Sequence, residues 1–364
     1  MNTVTEKVLT LPEKNTGRVI YLDILKTIAI LGVLLIHITS RGFSSFEFLN
    51  FDYLVSAFFN STVRFSVPVF IMVSGTLFLN EKKEITIKKM YSKYVLRIVL
   101  TLIIFASFYE VSDIIIGYFK NGVFEKAQIE KGIYNLLNLN THFHLYYLYI
   151  IVIIYMLVPL LKAFLKSATR ENFEYLLGFL YVFSILLPFL KSILPFDIIG
   201  KGMTGQYIIN LTYGMLFYFL LGHYFNKYNL SKKAENIIII MGILASAITF
   251  LMTAFEVKIY GQFVGRYIEA MTVNVSLMAS GVFIFIKRIS HYIKNEKIFT
   301  KISGASFLIY LIHDIYNIIL DCVGLNLTTF PALISIPILL TLVFGMSYIT
   351  YLVLKKVPFF NKLL

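Results

Sequence analysis

The sequence predicts an all-α, polytopic transmembrane bundle of about ten helices, with both termini in the cytoplasm. Apolar residues make up 58% of the 364 residues, and charged residues only 15%. The mean hydropathy is +0.78. Soluble domains have roughly 45–50% apolar and about 25% charged residues. A water-exposed surface cannot be built from so few charges, so lipid is expected to cover most of this protein.

Ten segments are long and apolar enough to cross a bilayer, which takes about 20 residues of helix. They are 20–39, 55–79, 94–118, 143–165, 173–194, 206–225, 236–255, 267–287, 304–321 and 330–354. The polar segment before them lacks a small-residue cleavage site, so the first span is expected to be retained. The chain is thus divided into a cytoplasmic tail (1–17), a transmembrane domain (18–356) and a second cytoplasmic tail (357–364). The segment 119–142 is predicted as an outer loop or a short re-entrant piece.

The distribution of basic residues sets the orientation. Most of the 33 lysines and arginines fall in the segments predicted to be cytoplasmic, as the positive-inside rule requires. Topology and anionic lipid headgroups therefore explain the net charge of +13, and no nucleic-acid partner is expected. The pattern predicts a multi-pass protein of the inner or plasma membrane. The single cysteine, Cys322, excludes an intrachain disulfide.

The first span carries a polar stripe. Lys26 and His37 are eleven residues apart, which is about 20° from three full turns, so both lie on one face. Asp23 precedes Lys26 by one turn on that face. The rise from Lys26 to His37 is about 16 Å. A structural alternative is that Lys26 reaches the headgroups, paired with Asp23, while His37 marks the outer interface.

The second and third spans carry further charges. Arg64 lies inside the second span, where it predicts either a structural ion pair or an anion-binding or oxyanion-binding role. Pro68 predicts a kink beside it. Glu110 of the third span reaches a depth similar to that of His37, so we expect it to fix the tautomer of a histidine base.

Polar side chains also stand in later spans. His144 and Tyr147 lie one turn apart at the outer start of the fourth span, where an aromatic interface belt is the alternative for the tyrosine. His313 and Asp314 lie near the middle of the ninth span, but adjacent residues point in different directions and need not serve one site. No histidine pair has the i, i+4 spacing of a helical zinc motif, so no metal site is predicted.

Several segments resemble the membrane acyltransferase-3 family. "RVIYLDILKTIAILGVLLIH" is similar to the family's first helix, "FSVPVFIMVSGTLFL" to its second and "ISGASFLIYLIH" to a late-helix signature. The family's first helix has an arginine, ten residues and a histidine, and here Lys26 stands in place of that arginine. Lysine keeps the charge but loses the bidentate fork. Of the family's paired arginines after the second helix, this chain offers Arg97, with Lys93 displaced by one position.

The resemblance implies transfer of an acyl group, usually acetyl, from cytoplasmic acyl-CoA to a hydroxyl of an envelope carbohydrate or related molecule. Acyl-CoA is then a donor substrate, and no bound cofactor is expected. The expected partners are acyl-CoA, the carbohydrate acceptor and membrane lipid. The candidate residues are His37, Glu110 and Arg64 for catalysis, Lys26, Lys93 and Arg97 for donor binding, and Asp23, His144, Tyr147 and His313 for acceptor binding or support.

Two mechanistic routes and two other functions stay open at this point. His37 either takes the proton of the acceptor hydroxyl or becomes acylated itself. An exporter or flippase of a polysaccharide or lipid-linked sugar would also need polar groups at mid-membrane. A sensor or scaffold that has lost its chemistry is the third alternative. The stripe of Lys26 and His37 favours an enzyme, because a pore needs polarity but no poised base.

Overall fold

The computed structural model describes residues 18–123, 126–138, 140, 142–193 and 212–363. Every regular element in these ranges is helical, and no strand occurs among them. The predicted N-terminal tail, 1–17, lies outside the described residues. The twelve main helices are α1 Ile20–Ser40, α2 Phe51–Thr62, α3 Ser66–Phe78, α4 Leu96–Asn121, α5 Lys126–Leu137, α6 Tyr146–Ser167, α7 Arg170–Tyr181, α8 Thr212–Lys227, α9 Lys232–Tyr260, α10 Val273–Ile289, α11 Glu296–Cys322 and α12 Ala332–Leu354.

Short helical pieces extend or join the main helices. They are Gly42–Ser45, Ile87–Lys89, Phe143–Leu145, Leu187–Ile193, Ser290–Tyr292 and Pro358–Leu363, with π-helical turns at Met90–Val95 and Val182–Leu186. Several main helices begin at a residue whose side chain accepts a hydrogen bond from the first turn. These N-caps are Asn50, Thr169, Ser231 and Thr272, and they satisfy backbone donors that a helix start leaves free.

Nine of the ten predicted spans are confirmed as helices long and apolar enough to cross a membrane, within the described ranges. The sixth predicted span, 206–225, coincides in part with α8, which has 16 residues. Its first residues fall in the segment 194–211, outside the described residues. The multi-pass helical fold is therefore confirmed.

The second span is broken rather than kinked. It ends as a helix at Thr62 and resumes at Ser66. Pro68 explains the break, because its nitrogen cannot donate to the carbonyl of Arg64 and its ring crowds that carbonyl. Ser66 closes the gap by donating its hydroxyl to the Val63 carbonyl at 2.6 Å. Arg64 therefore lies in the break between α2 and α3.

The centre of the bundle is formed by α1 and α11. These two spans have the largest buried share among the nine, and they pack against each other. Helix α1 also contacts α3, α2 and α12. Its residues Leu25, Ile30 and Leu34 have no exposed surface. The polar stripe of α1 thus lies inside the protein rather than at the lipid.

The segment predicted as a loop or re-entrant piece contains a helix of 12 residues, α5. It packs on α4, where the missing side chain of Gly132 leaves room for Glu110. Asn135 of α5 donates to both Glu110 oxygens at 3.2 Å. Most other side chains of α5 are polar or exposed, which is why the sequence showed no span there.

Helices α3 and α8 approach each other closely because both carry glycine at the contact. A Cβ built on Gly75 would lie 1.7 Å from the Phe219 carbonyl oxygen, and one on Gly222 would lie 2.1 Å from that of Met72. Small residues permit such backbone contact between membrane helices.

We expect Gly75→Ala to lower stability, because the added methyl group meets backbone that cannot rotate away. Overpacking of this kind costs about 1–3 kcal/mol. The midpoint of thermal unfolding in detergent, followed by circular dichroism, should fall. Gly178→Ala is the matched control, since a Cβ there meets nothing within 4 Å, and it should leave the midpoint unchanged or raise it slightly. Equal midpoints for wild type and Gly75→Ala would contradict the contact.

Candidate active site

Four histidines meet where the C-terminal end of α1, the start of α6 and the middle of α11 come together. We call His37, His142, His144 and His313 the histidine cluster. The ring centroids of His37 and His313 are 4.8 Å apart, those of His144 and His313 5.3 Å, and those of His37 and His144 6.2 Å. The ring of His142 lies 6.0 Å from that of His144.

The carboxylate of this cluster is Asp314. One of its oxygens, Oδ2, is 3.8 Å from His142 Nδ1 and 3.9 Å from His144 Nδ1. The other oxygen is 3.7 Å from a guanidinium nitrogen of Arg41. Asp314 is 3% exposed. His313 and Asp314 point in different directions, as expected, yet both belong to one site because the segment before α6 brings His142 and His144 to Asp314.

The hydrogen bonds of the cluster indicate the tautomer of His313. Its Nδ1 is 2.7 Å from the Tyr310 carbonyl oxygen, which can only accept, so Nδ1 carries the proton and Nε2 has a free lone pair. That Nε2 is buried without a partner in the described part of the chain, as are both ring nitrogens of His144. His37 keeps some accessible surface.

His142 lies just before the fourth span and is bound from two sides. Its Nε2 is 3.0 Å from Asp113 Oδ2, and its ring stacks on Tyr109 at 4.4 Å. Burial opposes a charge on this ring, but the carboxylates of Asp113 and Asp314 outweigh burial and raise the pKa of His142 to about 9. With no further ligand, the ring is therefore a cation at neutral pH.

The expected pairing of Glu110 with His37 is wrong. Glu110 is bound by Asn135 of α5, and the carboxylate beside the histidines is Asp314. The depth of Glu110 in the bundle does not decide which helix it faces. Its neighbour Tyr109 points to α11, where it donates to the Leu311 carbonyl at 3.0 Å, so Glu110 faces α5 instead.

Arg64 is held beside the cluster by Asn60. The side-chain oxygen of Asn60 accepts from Arg64 Nε at 2.8 Å and from a second guanidinium nitrogen. The amide nitrogen of Asn60 donates to the Ile36 carbonyl at 3.1 Å and to Thr39 Oγ1 at 3.0 Å. Asn60 is fully buried. It thus ties the helix of His37 to the guanidinium of Arg64.

A cavity of about 350 Å³ runs along α1 from its N-terminal half. We call it the long cavity. Three cations line it: Arg18, Lys26 and Arg97. Lys93 does not line it; its side chain is exposed, 5.8 Å from the Tyr94 ring centroid. Of the three predicted donor-binding residues, the structure therefore brings Lys26 and Arg97 together.

Asp23 is paired with Arg18 and not with Lys26. Two guanidinium nitrogens of Arg18 donate to its two oxygens at 2.6 Å and 3.0 Å, and Ser303 donates at 2.6 Å. Lys26 makes no hydrogen bond or ion pair of its own with any residue in the described ranges. Lys26 lines the long cavity, so its ammonium group is available to a ligand there.

Tyr147 and Tyr310 close the long cavity at the end nearest the cluster. Their ring centroids are 5.4 Å apart, and the Tyr310 hydroxyl donates to the His144 carbonyl. Val33, which also lines this end, precedes His37 by one turn of α1. The cluster therefore lies directly beyond this pair of tyrosines.

A second cavity, of about 410 Å³, lies on the far side of the cluster. We call it the vestibule. Its wall is polar, and the residues that matter here are Glu110, Asp113, Lys131, Asn135, His142 and Phe143. The Phe143 ring lies 5.2 Å from that of His37. The histidine cluster thus separates a long, cation-lined cavity from a polar vestibule.

Sequence reasoning missed four residues of this arrangement as site candidates: Arg18, Asn60, Asp314 and His142. Each had a local signal. Arg18 and Asp23 flank the first turn of α1, Asn60 precedes Arg64 by one helical turn, His142 precedes His144 by two residues, and Asp314 directly follows His313. None of these sequence features predicts which residue of another helix the side chain contacts.

The comparison with protein families agrees with this geometry. A family model described as an acyltransferase domain, of the acyltransferase-3 type, matches residues 19–352. No curated protein matches the chain, and no solved structure matches it.

We expect Asn60→Leu to destabilise the protein. The substitution removes the acceptor of the buried Arg64 guanidinium and the donor that links α2 to the Ile36 carbonyl and the Thr39 hydroxyl of α1. Loss of one partner of a buried group costs about 1–3 kcal/mol, and more for a charged group. Thermal unfolding in detergent measures the effect. Asn172→Leu, at an exposed position on α7, is the matched control. An unchanged midpoint for Asn60→Leu would contradict the bridging role.

Proposed function

This chain belongs to the acyltransferase-3 family of multi-pass membrane acyltransferases, and we propose that it moves an acyl group, acetyl in the simplest case, from cytoplasmic acyl-CoA to a hydroxyl of an envelope carbohydrate or related molecule. One observation carries this proposal: the histidine cluster lies between a cation-lined cavity and a polar vestibule. A donor and an acceptor can thus approach the same imidazoles from opposite sides.

The cations of the long cavity fit the donor. CoA carries phosphates, and lysine and arginine bind phosphate through charge-assisted hydrogen bonds. Lys26 is free for this role, and Arg97 lines the same cavity. Asp23 supports the site by holding the Arg18 guanidinium in place. Lys93 is exposed outside the cavity and is not part of the proposed donor site.

The wall of the long cavity fits the pantetheine arm. Beyond the cations it is lined by apolar and aromatic side chains, among them Val33, Phe70, Ile151 and Tyr147. The distance from Lys26 to His37 along α1 is about 16 Å, which an extended arm can bridge. The thioester reaches His37 when the ring of Tyr147 or Tyr310 rotates aside.

His37 is the candidate base. The acceptor oxygen attacks the thioester carbonyl as His37 takes the hydroxyl proton, and the resulting imidazolium returns that proton to the leaving CoA thiolate. The products are the O-acyl ester and free CoA. His313 Nε2 offers a second lone pair at the same place, and Arg64 supplies positive charge for the developing oxyanion. An acyl-histidine route uses the same groups in two steps.

The vestibule is the proposed acceptor site. Glu110, Asn135 and Lys131 offer hydrogen-bonding groups to a polyhydroxylated molecule, and the Phe143 ring offers an apolar face. In this role Glu110 contacts the acceptor rather than His37. His144 lies between the vestibule and the tyrosines of the long cavity. In this position it would keep the donor and the acceptor on their own sides of the reacting groups.

We expect His37→Ala to lower acyl transfer by about 10²–10⁴-fold, because that is the usual contribution of a general base. The assay follows label from radioactive acetyl-CoA into envelope carbohydrate, in membranes with matched protein levels. His291→Ala is the control, since His291 is exposed and lies outside the cluster.

Equal transfer by wild type and His37→Ala would show that His37 is structural. If neither acetyl-CoA nor succinyl-CoA gives labelled product while export of polysaccharide depends on the protein, an exporter replaces the enzyme. Pulse labelling followed by a rapid quench in neutral denaturant separates the two chemical routes, because only the acyl-histidine route leaves label on the protein.

Lys26→Met is expected to raise KM for acyl-CoA by about 10–100-fold, since a hydrogen bond to a charged group contributes about 1.5–3 kcal/mol. The substitution keeps the length of the side chain and removes its charge. Lys93→Met is the matched control and should change KM less than threefold, about 0.7 kcal/mol. Equal changes for both variants would place the phosphates outside the long cavity.

A further inference from the structure

Three side chains with metal-binding atoms converge beside the vestibule. One ligand atom from each of His142, His144 and Asp314 lies within 4.8 Å of the others. The Nδ1 atoms of the two histidines are 3.8 Å and 3.9 Å from the same oxygen of Asp314. We propose that these three residues bind a divalent transition-metal ion, and that Zn²⁺ suits the site best.

The donor set is that of a zinc site with an open position. Two imidazoles and one carboxylate are three protein ligands, which leave a fourth tetrahedral position for a water or a hydroxyl. Bonds of about 2.0–2.2 Å place tetrahedral ligand atoms roughly 3.3–3.6 Å apart. The two separations to Asp314, 3.8 Å and 3.9 Å, exceed this range slightly, and the three atoms lie within 4.8 Å of one another. Side-chain rotations that draw the two imidazoles closer together would bring the three atoms onto one ion.

His144 supplies the observation that an ion pair alone does not explain. Its ring is 1% exposed, and neither of its nitrogens has a hydrogen-bond partner among the described residues. Buried polar atoms are almost always bound, and an orphan indicates a ligand that the protein chain does not provide. A cationic His142 between two carboxylates would satisfy His142 but would leave both nitrogens of His144 without a hydrogen bond.

The surroundings of the three ligands also suit a metal. Asp113 accepts from Nε2 of His142 at 3.0 Å, which leaves Nδ1, the atom that faces Asp314, to bind the ion. A carboxylate behind a histidine in this way orients metal-binding imidazoles and raises their basicity. The second oxygen of Asp314 is held by Arg41 at 3.7 Å. Metal binding displaces the proton of His142 Nδ1.

The spacing of the histidines along the chain predicted no metal, because it lacks the helical i, i+4 pair. Here the two histidines stand in an irregular start of α6, and the third ligand comes from α11. The rings of His37 and His313 lie 6.2 Å and 5.3 Å from that of His144. The site thus uses the two histidines on the vestibule side of the histidine cluster, but its existence does not depend on acyl transfer.

The test uses the full chain, purified in detergent without a polyhistidine tag and stripped with a chelator. Zn²⁺ is titrated by calorimetry, bound metal is counted by mass spectrometry, and Co²⁺ is added to record the visible absorption of tetrahedral coordination. We expect about one ion per chain in the wild type. Asp113→Asn should weaken Zn²⁺ binding about 10–100-fold, and His144→Ala should abolish the tetrahedral Co²⁺ spectrum.

Two controls separate this site from its surroundings. His291→Ala and His37→Ala should both keep the metal with affinity within twofold of the wild type, because neither residue is a ligand. If His144→Ala does not yield a monodisperse protein, the Zn²⁺ affinity of Asp113→Asn relative to the wild type is the deciding measurement. A wild type that binds neither Zn²⁺ nor Co²⁺, or an Asp113→Asn variant with unchanged affinity, would overturn the proposal.

The outcome is independent of the proposed function. A metal-free wild type that transfers acyl groups would remove the metal site and leave the acyltransferase proposal standing. A wild type that binds one ion per chain but transfers no acyl group would do the reverse.

Discussion

The carboxylate of Asp314 is the group on which the arrangement of this protein depends. A charged side chain inside a bilayer costs about 2.5–3.5 kcal/mol on insertion scales, so it must find partners within the bundle. Arg41 from the end of α1, and His142 and His144 from the start of α6, all approach this one carboxylate. The same contacts that stabilise the buried charge thus bring three distant segments together and build the site.

The sequence predicted the fold well, because span length and hydropathy are local properties. Nine predicted spans are confirmed among the described residues, and Pro68 marked the position where the second one is interrupted. The shared face of Lys26 and His37 followed from helix geometry alone. Lys26 indeed lines the long cavity, and His37 lies in the histidine cluster. The division into tails and a central domain stays a prediction.

The site was less predictable, because a helix sequence gives the depth of a side chain but not the neighbour that it meets. Glu110 has the depth expected of a partner for His37 and faces α5 instead. Asp314 was not chosen as a site residue because the side chains of adjacent helix residues, here His313 and Asp314, point in different directions. The segment before α6 nevertheless places His142 and His144 beside Asp314. Asn60 looks like an ordinary polar residue until its contacts with Arg64 and α1 are seen. Each error concerns the direction in which a side chain points around its helix axis. That direction is set by how the helices pack against one another, which the sequence of a single helix does not show.

The closed end of the long cavity has a consequence for membrane permeability. The packed rings of Tyr147, Tyr310 and His144 form a septum between the long cavity and the vestibule. An ion or a sugar would need a wide, hydrated opening in such a septum, whereas a neutral group of a few atoms needs only the rotation of one ring. Under the proposed function, an acyl group passes between the two cavities while the packed rings exclude hydrated ions.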